Sequence, residues 1–120
     1  MDDDVLISMT DLAGKLTFAN NTFCRLAEYT NEELVGSPHN IVRHPDMPKG
    51  VFADLWQNLR AGKMWQGHVK NRSKTGRFYW VLAAVFPHYR GDQILGYISV
   101  RVRPNAASLP RVIEIYRRIP

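Results

Sequence analysis

Arg43 and His44 stand side by side in the stretch His39-Asn40-Ile41-Val42-Arg43-His44-Pro45-Asp46-Met47-Pro48. A guanidinium can grip a phosphate through two parallel hydrogen bonds. Asp46 has the wrong sign for phosphate, so its place is beside Arg43 or His44, or on a sugar hydroxyl. The same residues could also form a solvated loop with an internal Arg–Asp pair. A second group lies in Trp65-Gln66-Gly67-His68-Val69-Lys70-Asn71-Arg72. On a strand, Asn71 shares a face with Trp65, Gly67 and Val69. Its amide donates and accepts at once, which suits an edge of alternating N–H and C=O groups; it could equally be a strand-end turn residue. Gly67 leaves space against a planar ring, and Trp65 can stack on such a ring, wall a pocket, or serve as core. Asn20 reads as a helix N-cap. No glycine-rich phosphate loop, catalytic triad or metal-ligand spacing stands out.

The elements that must position these residues follow from pattern. Val5–Met9 and Leu16–Ala19 read as a hairpin across the turn Thr10–Lys15. Asn20 or Asn21 opens a helix carrying Phe23, Leu26 and Ala27 on one face. Thr30 with Glu33 is a capping box for a further short helix, ended by Gly36-Ser37-Pro38. His39–Pro48 is an irregular loop with at most one helical turn. Val51, Phe52, Leu55, Trp56 and Leu59 recur at helical spacing over Lys49–Arg60, with Pro48 before and Gly62 after. Three strands follow: Trp65–Arg72, Phe78–Phe86 ended by Pro87, and Ile94–Val102, with a turn at Tyr89–Asp92. Pro104–Ser108 is a linker, and Leu109–Ile119 is an amphipathic helix leaving the domain. Runs of strands and helices without strict alternation argue an α+β fold with an antiparallel sheet.

The 120 residues suffice for one domain. A hydrophobic share of 45% and a charged share of 22% fit neither a disordered nor a membrane protein. No apolar run approaches the ~18–20 residues of a membrane span. One cysteine, Cys24, excludes an intrachain disulfide. Met1 followed by Asp2-Asp3-Asp4 is the opposite of a basic leader. A reducing, cytoplasmic location is expected.

The order of elements resembles the PAS fold from about Val5 to Arg103. The features that carry it are the Asn20 position, Tyr29-Thr30-x-Glu32-Glu33-Leu34-x-Gly36, and Lys74-x-Gly76-x-x-Tyr79-Trp80. The loop His39–Pro48, with Trp65-x-Gly67-x-Val69-Lys70-Asn71-Arg72 and Tyr79-Trp80-Val81, is similar to the PAS sensor domains of bacterial aerotaxis receptors and related chemoreceptors. That resemblance implies five antiparallel strands with short helices on one face enclosing a cofactor pocket. It implies bound FAD reporting redox state, with no substrate turnover. The residues it points to are Asn20, His39, Asn40, Arg43, His44, Asp46, Trp65 and Asn71. Residues 1–104 would be the sensor, and 105–120 a linker and the start of a signalling helix. Partners would be a downstream signalling domain of the same receptor and a second copy, with no nucleic acid and no insertion of this segment into a membrane.

Rival readings stay open on the residues alone. One is a cofactor-free PAS module for dimerisation or docking. Another is a haem sensor, for which His44 is the candidate axial ligand. A third is an RNA-binding sheet bearing Lys70, Arg72, Lys74, Arg77, Arg101 and Arg103 among aromatics. A flavin–cysteine photoadduct is not expected, since His39 stands where blue-light-sensing PAS proteins carry the reactive thiol. Both faces of Phe78–Phe86 are apolar. Tyr79, Val81, Ala83 and Val85 would line the pocket side. Phe78, Trp80, Leu82, Ala84 and Phe86 would make a protein-contact face, since Met1–Asp4 is too short and acidic to cover it.

Overall fold

The computed structural model describes residues 5–120, so the expectation about Met1–Asp4 lies outside the described residues. Five strands form one antiparallel sheet: β1 (Val5–Asp11), β2 (Leu16–Ala19), β3 (Trp65–Arg72), β4 (Phe78–Arg90) and β5 (Gln93–Val102), in the order β2-β1-β5-β4-β3. The helices α1 (Asn21–Ala27), α2 (Asn31–Leu34) and α3 (Lys49–Arg60), with a 3-10 turn at His39–Val42, fill the connection between β2 and β3. α4 (Leu109–Tyr116) follows the sheet.

Period-2 alternation decides what faces the helices. Val81, Ala83 and Val85 of β4 are buried, whereas Trp80, Leu82, Ala84 and Phe86 are half-buried and Phe78 is exposed. Val69 and Trp65 of β3 join Met47, Val51, Leu55 and Leu59 in one core. Leu6, Leu16, Ala19, Phe23, Ala27, Leu34 and Val42 form a second. The capping box is as expected: Thr30 Oγ1 accepts from the Glu33 N–H at 3.1 Å and Glu33 Oε1 from the Thr30 N–H at 3.0 Å.

Several boundaries differ from the sequence pattern: β1 runs on to Asp11, β5 starts at Gln93 and α4 ends at Tyr116. β4 does not stop at Pro87 but runs to Arg90, pairing Pro87 with Tyr97 and Arg90 with Gln93. β3 reaches only as far as Val85, so the flank of β4 beyond it is open and an imino acid there interrupts no ladder on that side. The chain after Val102 also behaves differently: α4 does not leave. It turns back along β3, where the Tyr116 hydroxyl donates to the His68 carbonyl at 2.7 Å and the ring packs on Trp80.

Loops also bond the outer strands. On β3, the Lys70 carbonyl accepts from His44 N–H at 3.2 Å and the Lys70 N–H donates to Met47 Sδ at 3.2 Å. On β2, Leu16 N–H donates to Ser37 O at 2.8 Å and Leu16 O accepts from Gly36 N–H at 2.7 Å.

Gly96 is required by close approach. A Cβ there would lie 1.9 Å from the Thr10 carbonyl oxygen, which is backbone and cannot rotate away. Gly96→Ala is expected to pry β1 from β5 and cost about 2–4 kcal/mol. Chemical denaturation checks this; a loss below about 1 kcal/mol would contradict the crowding.

Candidate functional site

Between α3 and the sheet lies a cavity of about 210 Å³. The exposed lining residues Ala13, Pro38 and Asn40, with the half-buried Arg43, Phe52 and Trp56, mark the mouth. Phe52, Leu55, Trp56 and Leu59 recur every three or four residues, so one face of α3 supplies the whole helical wall. Trp56 meets Tyr97 edge-on, with ring centroids 5.4 Å apart. The Arg43 guanidinium lies 4.0 Å over the Phe52 ring.

The sheet end is polar, and alternation builds it. Tyr97, Ser99 and Arg101 point inward from β5, opposite Thr10, Ser8 and Leu6 of β1. Asn71 reaches in from β3 and is 1% exposed. Arg101 is 7% exposed. Its Nε donates to Ser99 Oγ at 2.9 Å, Nη1 to Asn71 Oδ1 at 3.4 Å and Nη2 to His39 Nε2 at 3.4 Å. All three partners are neutral, and no carboxylate among the described residues pairs with this guanidinium. Burial therefore pulls its pKa down to about 10.

Ser8 Oγ also meets His39 Nε2, at 2.9 Å. Arg101 can only donate, which assigns Nε2 as acceptor and the ring proton to Nδ1. The enclosed imidazole is pushed down to about 3, first by burial and then by the Arg101 charge. Two buried polar atoms of cavity-lining residues have no partner among the described residues: the Asn71 amide nitrogen and the Thr10 hydroxyl. Native interiors rarely leave such groups unsatisfied. A ring with acceptors along one edge fits this donor-rich end.

Of the eight residues picked from sequence, the structure brings His39, Asn40, Arg43 and Asn71 together around the cavity and places the other four elsewhere. Asn20 caps α1 and ties it to β1: Oδ1 accepts from Phe23 N–H at 3.0 Å and from Ile7 N–H at 3.2 Å, and Nδ2 donates to Val5 O at 2.9 Å. His44 packs edge-on against Phe78, and its Nδ1 accepts from Asp46 N–H at 3.0 Å. Asp46 sits beside His44 and pairs with Lys70 at 3.3 Å; its partner is not Arg43. Trp65 is core, its indole N–H donating to Asp54 at 2.9 Å. The planar ring that Gly67 makes room for is that same indole: a Cβ there would come within 2.6 Å of it.

Sequence reasoning missed Arg101, Ser99, Tyr97, Thr10 and Trp56. Arg101 was grouped with the surface cations, yet its parity with Tyr97 and Ser99 already put it on the inward face. Trp56 shares the helical spacing of Phe52 and Leu59.

These features define a sensor-type binding domain, and the chain belongs to the PAS family: the PAS fold profile matches residues 16–101. It is 48% identical over 118 residues to the aerotaxis receptor of Escherichia coli, covering 98% of this chain and 23% of that protein. It is 29% identical to the nitrogen fixation regulatory protein of Klebsiella pneumoniae, over 69% of this chain and 17% of that protein. The chain thus spans less than a quarter of these curated relatives' length. Among solved structures, the light state of the blue-light photoreceptor Aureochrome1 LOV superposes with a TM-score of 0.81 at 15% identity, covering 93% of this chain and 91% of that one.

Proposed function

We propose that this chain is a flavin-binding PAS sensor domain, holding FAD and reporting redox state within a receptor for aerotaxis or energy taxis. The observation that carries the reading is the polar end of the cavity. Among the described residues, a buried guanidinium without a counter-charge stands beside an Asn71 amide nitrogen without an acceptor. A bound flavin would supply an electron acceptor whose reduction changes charge along its ring edge. Arg101, Asn71 and His39 would hold that edge, while Leu55, Leu59, Val69 and Val85 exclude water around the ring. The cavity is smaller than the ~300–1,000 Å³ typical of sites enclosing whole ligands. It suits a ring system, and the ribityl and pyrophosphate would leave through the mouth past Asn40 and Arg43.

A change in hydrogen bonding at the sheet would bias contact with a following signalling domain or a second copy. Residues 1–104 would be the sensor unit, and 105–120 the connection onward. Similarity to the aerotaxis receptor supports a place on the cytoplasmic side. No helix among the described residues is long and apolar enough to cross a membrane. The haem alternative is disfavoured by the site itself. His44, its candidate ligand, is outside the cavity, and the Nε2 of His39 is already occupied by Ser8 and Arg101.

The test is the visible absorption spectrum of purified protein with mass analysis of released cofactor. FAD is expected; a colourless protein that binds no added FAD at micromolar levels, or one carrying haem, contradicts the reading. Arg43→Ala should weaken FAD at least tenfold and FMN much less, because a mouth cation acts on the pyrophosphate. Equal losses for both flavins would place Arg43 elsewhere.

A further inference from the structure

Gly50 lies in the first turn of α3, two residues before the cavity-lining Phe52. A glycine in a helix costs roughly 0.5–1 kcal/mol relative to alanine. Gly50 is not among the residues of positive φ, so its backbone conformation does not demand glycine. What occupies the space of the missing side chain is the segment that follows α4. A Cβ at Gly50 would stand 2.9 Å from Ile119 Cγ2 and 3.3 Å from the Pro120 carbonyl oxygen. That carbonyl accepts the Gly50 N–H at 3.0 Å, satisfying a first-turn donor that has no partner inside the helix. Ile119 and Tyr116 pack against the same core as Val51 and Leu55. Tyr116 anchors the strap a second time, on the His68 carbonyl at 2.7 Å.

We infer that the Gly50 notch is where the cavity is read out: α3 is at once the cavity wall and the seat of the tail, so seating of Ile119-Pro120 and occupancy of the cavity are linked. An occupant braces the inner face of α3 and holds its first turn in the position that accepts the tail. An unfilled cavity lets the helix settle inward and the tail slip. Linkage is reciprocal: the factor by which the occupant tightens the tail is the factor by which a loose tail weakens the occupant. The inference rests on the flavin reading for the identity of that occupant.

The test uses the full chain, with FAD as the added ligand. Trypsin cleavage after the exposed Arg117 and Arg118 reports tail seating. In wild type, saturating FAD is expected to slow that cleavage at least threefold. Gly50→Ala should accelerate it at least tenfold without FAD while keeping the circular dichroism of a folded domain, alanine being the better helix former. It should also weaken FAD by the factor seen for protection in wild type. Tyr116→Phe, which removes the second anchor, should move both readouts the same way and serves if Gly50→Ala folds poorly. Folded variants cleaved at the wild-type rate overturn the notch. Faster cleavage with unchanged FAD affinity overturns the linkage. A wild type that binds no FAD overturns the flavin reading and the linkage to it, and the trypsin comparison between wild type and Gly50→Ala then still decides the seating.

Discussion

Arg101→Met is expected to cost flavin affinity at least a hundredfold while leaving the ligand-free domain as stable as wild type or more so. The two halves follow from one fact. With burial pulling the folded pKa down to about 10, well below that of a free guanidinium, the charge costs the fold on the order of a few kcal/mol at neutral pH. The sign is that of a base depressed by folding: the cost is fully present below about pH 10 and fades only as pH rises above that toward the free guanidinium's range. Methionine removes that cost and fills similar volume. It also strips a donor from Ser99, Asn71 and His39, but two of those hydrogen bonds are long, at 3.4 Å, so the loss is smaller than for ideal geometry. Denaturant unfolding of the ligand-free protein and flavin titration measure the halves separately. A destabilised variant that keeps its flavin would make Arg101 a structural residue.

Stability of the ligand-free domain should fall as pH drops below 6.5, and His39 should account for the steepest part. Its folded pKa of about 3 lies well below the ordinary 6.5, so the folded state refuses a proton that the unfolded chain accepts. The contribution is therefore complete above about pH 6.5 and lost progressively as pH falls toward 3, at about 1.4 kcal/mol per pH unit. Between pH 6.5 and 4.5 that is about 2–3 kcal/mol, over a range whose lower end the glutamates begin to share. His44 is shifted the same way by burial and by Lys70, with Asp46 opposing. The measurement is thus the difference between wild type and His39→Gln, whose amide can still accept from Ser8 and Arg101. Parallel pH profiles for the two proteins would refute the assignment.

The frame of the fold was legible where local chemistry decides it. The Thr30–Glu33 capping box, the α3 stripe and the alternation of β3 and β4 each follow from side-chain geometry within a few residues. The site was legible only in part, because it is assembled across the sheet. Arg101 meets Asn71 and His39 from 30 and 62 residues away, and nothing local to β5 distinguishes an inward arginine from a solvated one except its parity. His44 and Asp46 share a motif with Arg43 but face Lys70 and Phe78 on the outside. Adjacent residues on an irregular loop point in different directions, so a motif gave the neighbourhood and not the contacts. Pro87 misled for the opposite reason: a strand breaker is tolerated where one flank has no neighbour.

The loops bonded along the two outer strands carry a consequence for crowded solution. An open sheet normally ends in backbone groups that invite another chain to extend it, the route to fibrils and swapped dimers. Here Lys70 and His68 on one margin are taken by His44, Met47 and Tyr116, and Leu16 on the other by Gly36 and Ser37. These stretches of both selvedges are hemmed by the chain's own segments, while β4 beyond Val85 keeps an open flank. Copies brought to high local density therefore meet backbone groups at Lys70, His68 and Leu16 that are already bonded and do not invite a further strand.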